Sequence, residues 1–298
     1  MHAQAAVALM PLDLVVNVAI AGILTGLVYG LMALGLSVIF GVVRVVNFAH
    51  GEMMTIAMYA TVLLFAAWGI DPFLAALPVA AAFFGLGYLL QARIIHPFIT
   101  RPEHSQFIML VAIATIMVNG LLMGFGPDAR NVQTDYQLES FAIGQILFDK
   151  ARVYGALAAL LATALLFAFF RYTSTGKAIR ACADNPLGAK VVGLNVRHFY
   201  ALTFGLGSAC LAVAGCVLVL LVDVTPVLGP GYTLLAFVIV IVGGLGSMPG
   251  ALLGGVLIGL SEALAGLFIA PSAKSMVSFG LLILVLLLRP QGLLGRRS

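Results

Sequence analysis

The sequence predicts an all-α fold: a polytopic transmembrane helical bundle with about eight to ten membrane segments. Three observations predict it. Of 298 residues, 62% are apolar and only 9% are Asp, Glu, Lys or Arg, where a soluble domain carries about 25%. The mean hydropathy is +1.15. The few charges are gathered between long uncharged stretches, which a helix rising about 1.5 Å per residue needs in order to cross a hydrocarbon core of about 30 Å. So little charge also excludes a disordered or nucleic-acid-binding chain, since both need dense charge.

The elements follow from the gaps between ionisable residues. Positions 14–43, 53–70, 72–92, 105–127, 153–170, 198–222 and 224–261 contain none. Most suit one crossing each. The first is long for one helix and short for two, so a full helix followed by a half-helix entering Gly41–Asn47 is expected. Irregular backbone at membrane depth persists only where protein buries it or water reaches it, which makes 41–52 a candidate pathway. The last gap is divided at Gly246-Ser247-Met248-Pro249-Gly250 into spans near 231–247 and 251–269, because proline removes a donor and clashes with the preceding turn. A shorter run, 275–288, ends at Arg289-Pro290. The opening MHAQAAVALMPLD lacks the basic start and cleavage site of a secretory signal, so the first apolar stretch is expected to stay as a span.

Orientation follows from positive charge. Arg44, Arg93, Arg101, Arg171, Lys177, Arg180, Lys190, Arg197, Arg289, Arg296 and Arg297 make up 11 of the 15 basic residues and fall in alternate connections. The other connections hold Asp13, Asp71, Asp128, Asp135, Glu139, Asp149 and Asp223. Nine passes from an outside N-terminus to an inside C-terminus satisfy both sets, with eight or ten still open. Gly22, Gly26 and Gly30, Gly250 and Gly254, and Gly255 and Gly259 each repeat every four residues, a spacing that lets helix backbones meet closely in lipid. Cys182, Cys210 and Cys216 read as small packing residues rather than a disulfide framework.

Residues 171–198 (RYTSTGKAIRACADNPLGAKVVGLNVRH) form the longest connection on the positive side. Ala178–Ala183 favour a short helix, interrupted at Asp184-Asn185-Pro186. Pro186 suits the first turn of a second helix capped by Asp184 or Asn185 and ended by Gly193 or Asn195. A basic loop needs no Leu187, Val191, Val192 and Leu194. Apolar residues framed by charge suggest a protein contact.

The run GLVYGLMALGLSVIFGVVRVVNFAHGEMMTIAMYA (26–60), the segment STGKAIRACADNPLGAKVVGLN (174–195) and the run VIVGGLGSMPGALLGGVLIGLSEAL (240–264) together resemble the permease subunits of branched-chain amino-acid ABC importers. Asn47-Phe48-Ala49-His50-Gly51-Glu52 is the version typical of the first of the two paired permease types. The resemblance implies one full-length permease domain over 1–298, set in a bacterial inner membrane. It implies a second permease, two cytoplasmic ATPase subunits and an external substrate-binding protein as partners, with no cofactor. It places ATPase coupling on 171–198, through Ala181, Asp184, Asn185, Leu187, Ala189, Val192 and Gly193. Where the familiar coupling signature begins Glu-Ala-Ala, this chain has Ala181-Cys182-Ala183.

Resident chemistry is sparse. Lys177 follows Gly176, but Arg171 stands where a phosphate-binding loop needs its first glycine. His50 and Glu52 are two apart, the wrong spacing for a helical zinc pair, and no second ligand lies nearby. Asn47, His50 and Glu52 therefore either cap a broken helix or line a solute route, and Arg44 is placed to pair with Glu52. Glu262 is the one carboxylate inside an apolar stretch, where charge costs about 2.5–3.5 kcal/mol. It either meets an ammonium or proton, or reaches interfacial water. Asn119 is the uncharged counterpart in its span. The rivals to an ATP-driven permease are a secondary transporter coupled to ions through Glu262, Glu52 or His50, and a passive channel.

Overall fold

A computed structural model describes residues 12–143 and 146–295. The residues before Leu12, and Arg296 and Arg297 of the basic C-terminal group, lie outside the described residues. Eleven α-helices are present among them: α1 Leu12–Val43, α2 His50–Trp68, α3 Pro72–Leu89, α4 Glu103–Phe125, α5 Lys150–Tyr172, α6 Ser174–Asp184, α7 Pro186–Val191, α8 Val196–Leu218, α9 Gly229–Gly243, α10 Met248–Phe268 and α11 Lys274–Leu288. Eight stretches are long and apolar enough to cross a membrane, and α9 is a shorter apolar helix. The chain is a multi-pass membrane protein.

Polar residues at the connections start many of these helices. Asp71, Asp149, Thr173, Asn185, Asn195 and Ser247 each accept a hydrogen bond from a backbone N–H two or three residues on. These bonds satisfy donors that a helix start leaves free. Helix stops are equally local: Gly69 closes α2 at φ 65° and Gly244 closes α9 at φ 108°.

One expectation is corrected. The 14–43 gap is a single unbroken 32-residue helix, not a helix followed by a half-helix. Nothing between Leu12 and Val43 is a proline, and the glycines are held by packing rather than used as a break. The irregular segment comes later, at 44–49, and α2 begins at His50 beside the middle of α1: the His50 imidazole reaches the Met32 carbonyl at 3.0 Å.

The bundle is centred on α1 and α8, which are buried for most of their length, while α4 and α11 are largely uncovered. The glycine spacing explains the tightest pairing, the antiparallel contact of α1 with α10. A Cβ on Gly26 would stand 2.7 Å from the Gly255 carbonyl oxygen, and one on Gly259 would stand 2.4 Å from the Gly26 Cα. Backbone meets backbone there, which maximises dispersion contact where lipid gives no hydrophobic drive. The three cysteines are free and buried, as their packing role requires.

At the acidic end a β-hairpin that the sequence reading did not expect is present: β1 Ser140–Ile143 pairs antiparallel with β2 Ile146–Asp149. It rests on α1, where Asn17 Oδ1 accepts from the Leu147 N–H at 3.0 Å. Nearby, the Tyr136 hydroxyl donates to Asp71 at 2.7 Å. Burial first, and that bond second, hold the Tyr136 phenol well above its ordinary 10.0, so it remains a donor at neutral pH.

Candidate functional site

Two places bring the sequence-predicted residues together. The first lies inside the bundle. The chain leaves α1 at Arg44, whose φ of 61° is the one left-handed non-glycine backbone among the described residues, and returns through 44–49 to start α2. On the other side, α8 gives way to the irregular segment 219–228, and α9 then starts. The first turns of α2 and α9 abut: a Cβ on Gly51 would stand 2.1 Å from the Gly229 carbonyl oxygen, and one on Gly229 would stand 2.9 Å from the Glu52 Cα. From this junction α2 runs toward the acidic end and α9 toward the basic end. The same device, a long helix, an irregular return and a shorter helix, occurs twice in opposite senses.

Buried polar bonds hold the junction. Asn47 Oδ1 accepts from the Ala49 N–H at 3.1 Å, a short-range turn that aims the chain into α2. The Gly51 N–H donates to Thr233 Oγ1 at 2.8 Å, and the Thr233 hydroxyl donates to Glu52 Oε2 at 2.9 Å. His50 Nε2 carries the proton it gives to the Met32 carbonyl, while its Nδ1 is buried with no partner. Asn47, His50 and Glu52 thus stand together at the junction, with Asn47 bonded inside the return itself. The Arg44–Glu52 pair is corrected: Glu52 bonds to Thr233, and Arg44 belongs to a separate cavity. Thr233 is the residue sequence reasoning missed. Gly229-Pro230-Gly231, a break just before it inside an apolar run, was the available signal.

The other two pathway candidates lie elsewhere. Asn119 is exposed on α4 and donates to the Thr115 carbonyl of its own helix at 2.8 Å. Glu262 sits toward the end of α10, where Oε1 accepts from the Ser278 hydroxyl of α11 at 2.7 Å. Neither is bonded to the junction. Among the described residues no group of three His, Cys, Asp or Glu is placed to hold a metal.

The second place is the connection at the basic end. It folds as the sequence reading expects, into α6 and α7 broken at Asn185, whose Oδ1 accepts from the Gly188 N–H at 2.9 Å. Gly193 ends α7 at φ 84°, donating to the Lys190 carbonyl. Ile179 and Cys182 turn inward at 0% exposure, and a Cβ on Gly176 would lie 2.4 Å from the Phe169 carbonyl of α5. Ala189 is also buried, so this predicted contact residue is an anchor and not a surface group. Ala181, Asp184, Asn185, Leu187, Val192 and Gly193 are exposed. Leu187, Val191 and Val192 remain 74–82% exposed, an apolar face on the edge of the bundle.

The multi-pass helical bundle, with paired helix breaks at its centre and a helical elbow on its basic face, is that of a membrane transport permease by its likeness to known proteins. The chain belongs to the family described as the branched-chain amino acid transport system / permease component, whose model matches residues 18–286. It is 34% identical to the high-affinity branched-chain amino acid transport system permease proteins LivH of Salmonella typhimurium and of Escherichia coli K12, over 92% of this chain and 94% of each relative. It is 31% identical to the permease protein BraD of Pseudomonas aeruginosa, with the same coverage. Among solved structures, PsaBC from Streptococcus pneumoniae in complex with Fab overlays at a TM-score of 0.49 and 15% identity, covering 92% of this chain and 91% of that one, a likeness too distant to argue from.

Proposed function

We propose that this chain is the permease subunit of an ATP-driven importer for branched-chain or related small amino acids in a bacterial inner membrane. It pairs with a second permease, docks two cytoplasmic ATPase subunits at its basic face and receives solute from an external binding protein. The apolar face of α7 carries the reading. A membrane protein has no need of Leu187, Val191 and Val192 in water unless another protein covers them, and α6 ties that face by Ile179, Cys182 and Gly176 to the end of α5.

Force applied to α7 passes into α6 and from there into the bundle. The two breaks, 44–49 and 219–228, are where helices yield most readily, since backbone there is not locked into a helical ladder. Alternating access follows when the α2 and α9 halves move about their shared contact at Gly51 and Gly229. The pathway runs near this junction, with Asn47, His50 and Glu52 as polar groups beside it. Selectivity among amino acids resides mainly in the external protein, in keeping with the few ionisable groups in the spans.

The test is reconstitution with and without the ATPase subunits. Uptake that requires ATP, and that disappears with Leu187→Asp plus Val192→Asp while the permease stays folded, is the expected result. Uptake by the chain alone, driven by an ion gradient, would replace this reading with the secondary-transporter one.

A further inference from the structure

At the basic end lies a cavity of about 1130 Å³, walled by α1, α5, α6, the α9–α10 turn and the segment after α11. The Glu52 junction and the apolar face of α7 do not line it. Arg44, Lys177 and Arg180 do, against the single carboxylate of Asp184. None of the four is ion-paired among the described residues, where the ion pairs are Lys150–Glu139 and Arg152–Asp149. Among the described lining residues, three cations against one carboxylate leave two positive charges unmatched.

Helix ends explain part of this. Arg44 and Arg180 stand near the C-termini of α1 and α6, where the backbone dipole favours a cation. That does not account for Lys177, which is in the first half of α6. Nor does it account for the backbone of Arg44: the position just past a helix at φ 61° is one that glycine fills without strain, yet the chain holds an arginine there. Strain kept at a cavity mouth points from the outlier to a use for the side chain.

An independent sign comes from Ser37. It forms part of the cavity wall, about 10 Å along α1 from Arg44, and its hydroxyl is fully buried with no hydrogen-bond partner among the described residues. A buried hydroxyl without a partner is rare and calls for an unseen one. Phe167, Phe170 and Val42 line the same cavity. Cations and apolar side chains sharing one cavity at the basic end of a membrane-spanning bundle suit a phosphate joined to a hydrocarbon tail.

We propose that this cavity binds a phosphate-bearing anion, with Arg44, Lys177 and Arg180 meeting the phosphate and Ser37 donating deeper inside, and that its occupant is the headgroup of an anionic phospholipid from the adjoining leaflet. Free inorganic phosphate has the same chemistry and is the other source. Ala181 and Asp184 of the proposed coupling segment also line this cavity, so the site shares α6 with that segment and stands apart only from the apolar face of α7.

Native mass spectrometry of the delipidated full-length chain, titrated with phosphatidylglycerol or phosphatidylcholine, tests it. Phosphatidylglycerol is expected to bind about tenfold more tightly, since each cation near the headgroup contributes on the order of a fivefold effect and part is lost to Asp184. Lys177→Gln with Arg180→Gln should abolish the preference. Arg44→Gly should weaken it while leaving the melting temperature unchanged or higher, because glycine accepts φ 61°; this variant separates loss of binding from loss of fold. Displacement of the lipid by millimolar phosphate supports one shared site, and phosphate binding without a lipid preference supports the site with the soluble source. Equal affinity for both lipids with no phosphate binding, or a preference untouched by the double variant, overturns the proposal. So does loss of ATPase co-purification in the double variant with lipid binding intact, because the cations would then belong to a protein contact.

Discussion

The interior junction and the α6–α7 elbow are both helix breaks, but they are stabilised in opposite ways. At the junction, Gly51 and Gly229 press backbone on backbone and Thr233 serves both the Gly51 N–H and the Glu52 carboxylate. Both Thr233 contacts are tertiary and reach across about 180 residues of chain. At the elbow, Asn185 caps its own helix, Gly193 ends it, and the outer face is left bare. The first break is fixed by what surrounds it and tolerates almost no added atom. The second takes its shape from its own sequence and is tied to the bundle on its inner face alone, through Ile179, Cys182 and Ala189.

The largest expected effect breaks the junction. Gly51→Ala forces a Cβ to within 2.1 Å of the Gly229 carbonyl oxygen and 2.5 Å of the Thr233 nitrogen. Overpacking against backbone costs about 3 kcal/mol or more, so thermal unfolding in detergent should show a large fall or a loss of folded protein. Gly120→Ala, with nothing within 4 Å in this chain, should leave the melting temperature near that of the parent. Next, Leu187→Asp with Val192→Asp should reduce ATPase co-purification and ATP-dependent uptake at least about tenfold, equivalent to about 1.4 kcal/mol of docking energy, with little change in melting. That contrast, stability lost at one break and coupling lost at the other, is the sharpest check on the comparison.

Thr233→Val is intermediate. It keeps the shape and strips the Gly51 N–H and Glu52 carboxylate of their partner, at about 1–3 kcal/mol. Thr233→Ser should restore most of the loss, read as a melting temperature. The smallest effect belongs to Asn185→Ala, which removes one cap at about 1 kcal/mol. Faster amide exchange confined to α7, with the spans unaltered, is the expected signature.

These differences also mark what the sequence could tell. The elbow was legible to within a few residues because its determinants are local: Asn185, Pro186 and Gly193 act within a turn of where they stand. The glycine stripes announced close backbone contact between helices, but not that α1 and α10 would be the pair, since a four-residue repeat marks a surface and not its partner. The junction was legible only on one side. Asn47-Phe48-Ala49-His50-Gly51-Glu52 marked itself, but its partner Thr233 lies in a run whose apolar neighbours hide a single hydroxyl. Ala189 misled for a related reason: a small residue between exposed ones carries no sign of which way its helix is rolled. The break in α1 was misplaced because gap length alone cannot distinguish two short helices from one overlong one.

That overlong helix has a mechanical consequence. At about 1.5 Å per residue, 32 residues reach about 48 Å, well beyond a hydrocarbon thickness of about 30 Å. Unless steeply inclined, α1 stands out of the bilayer, and its acidic end is where the hairpin leans on Asn17. No hinge interrupts it from there to Arg44. A push on the acidic tip travels down a stiff mast and emerges, undamped by any flexible joint, at the opposite end of the molecule.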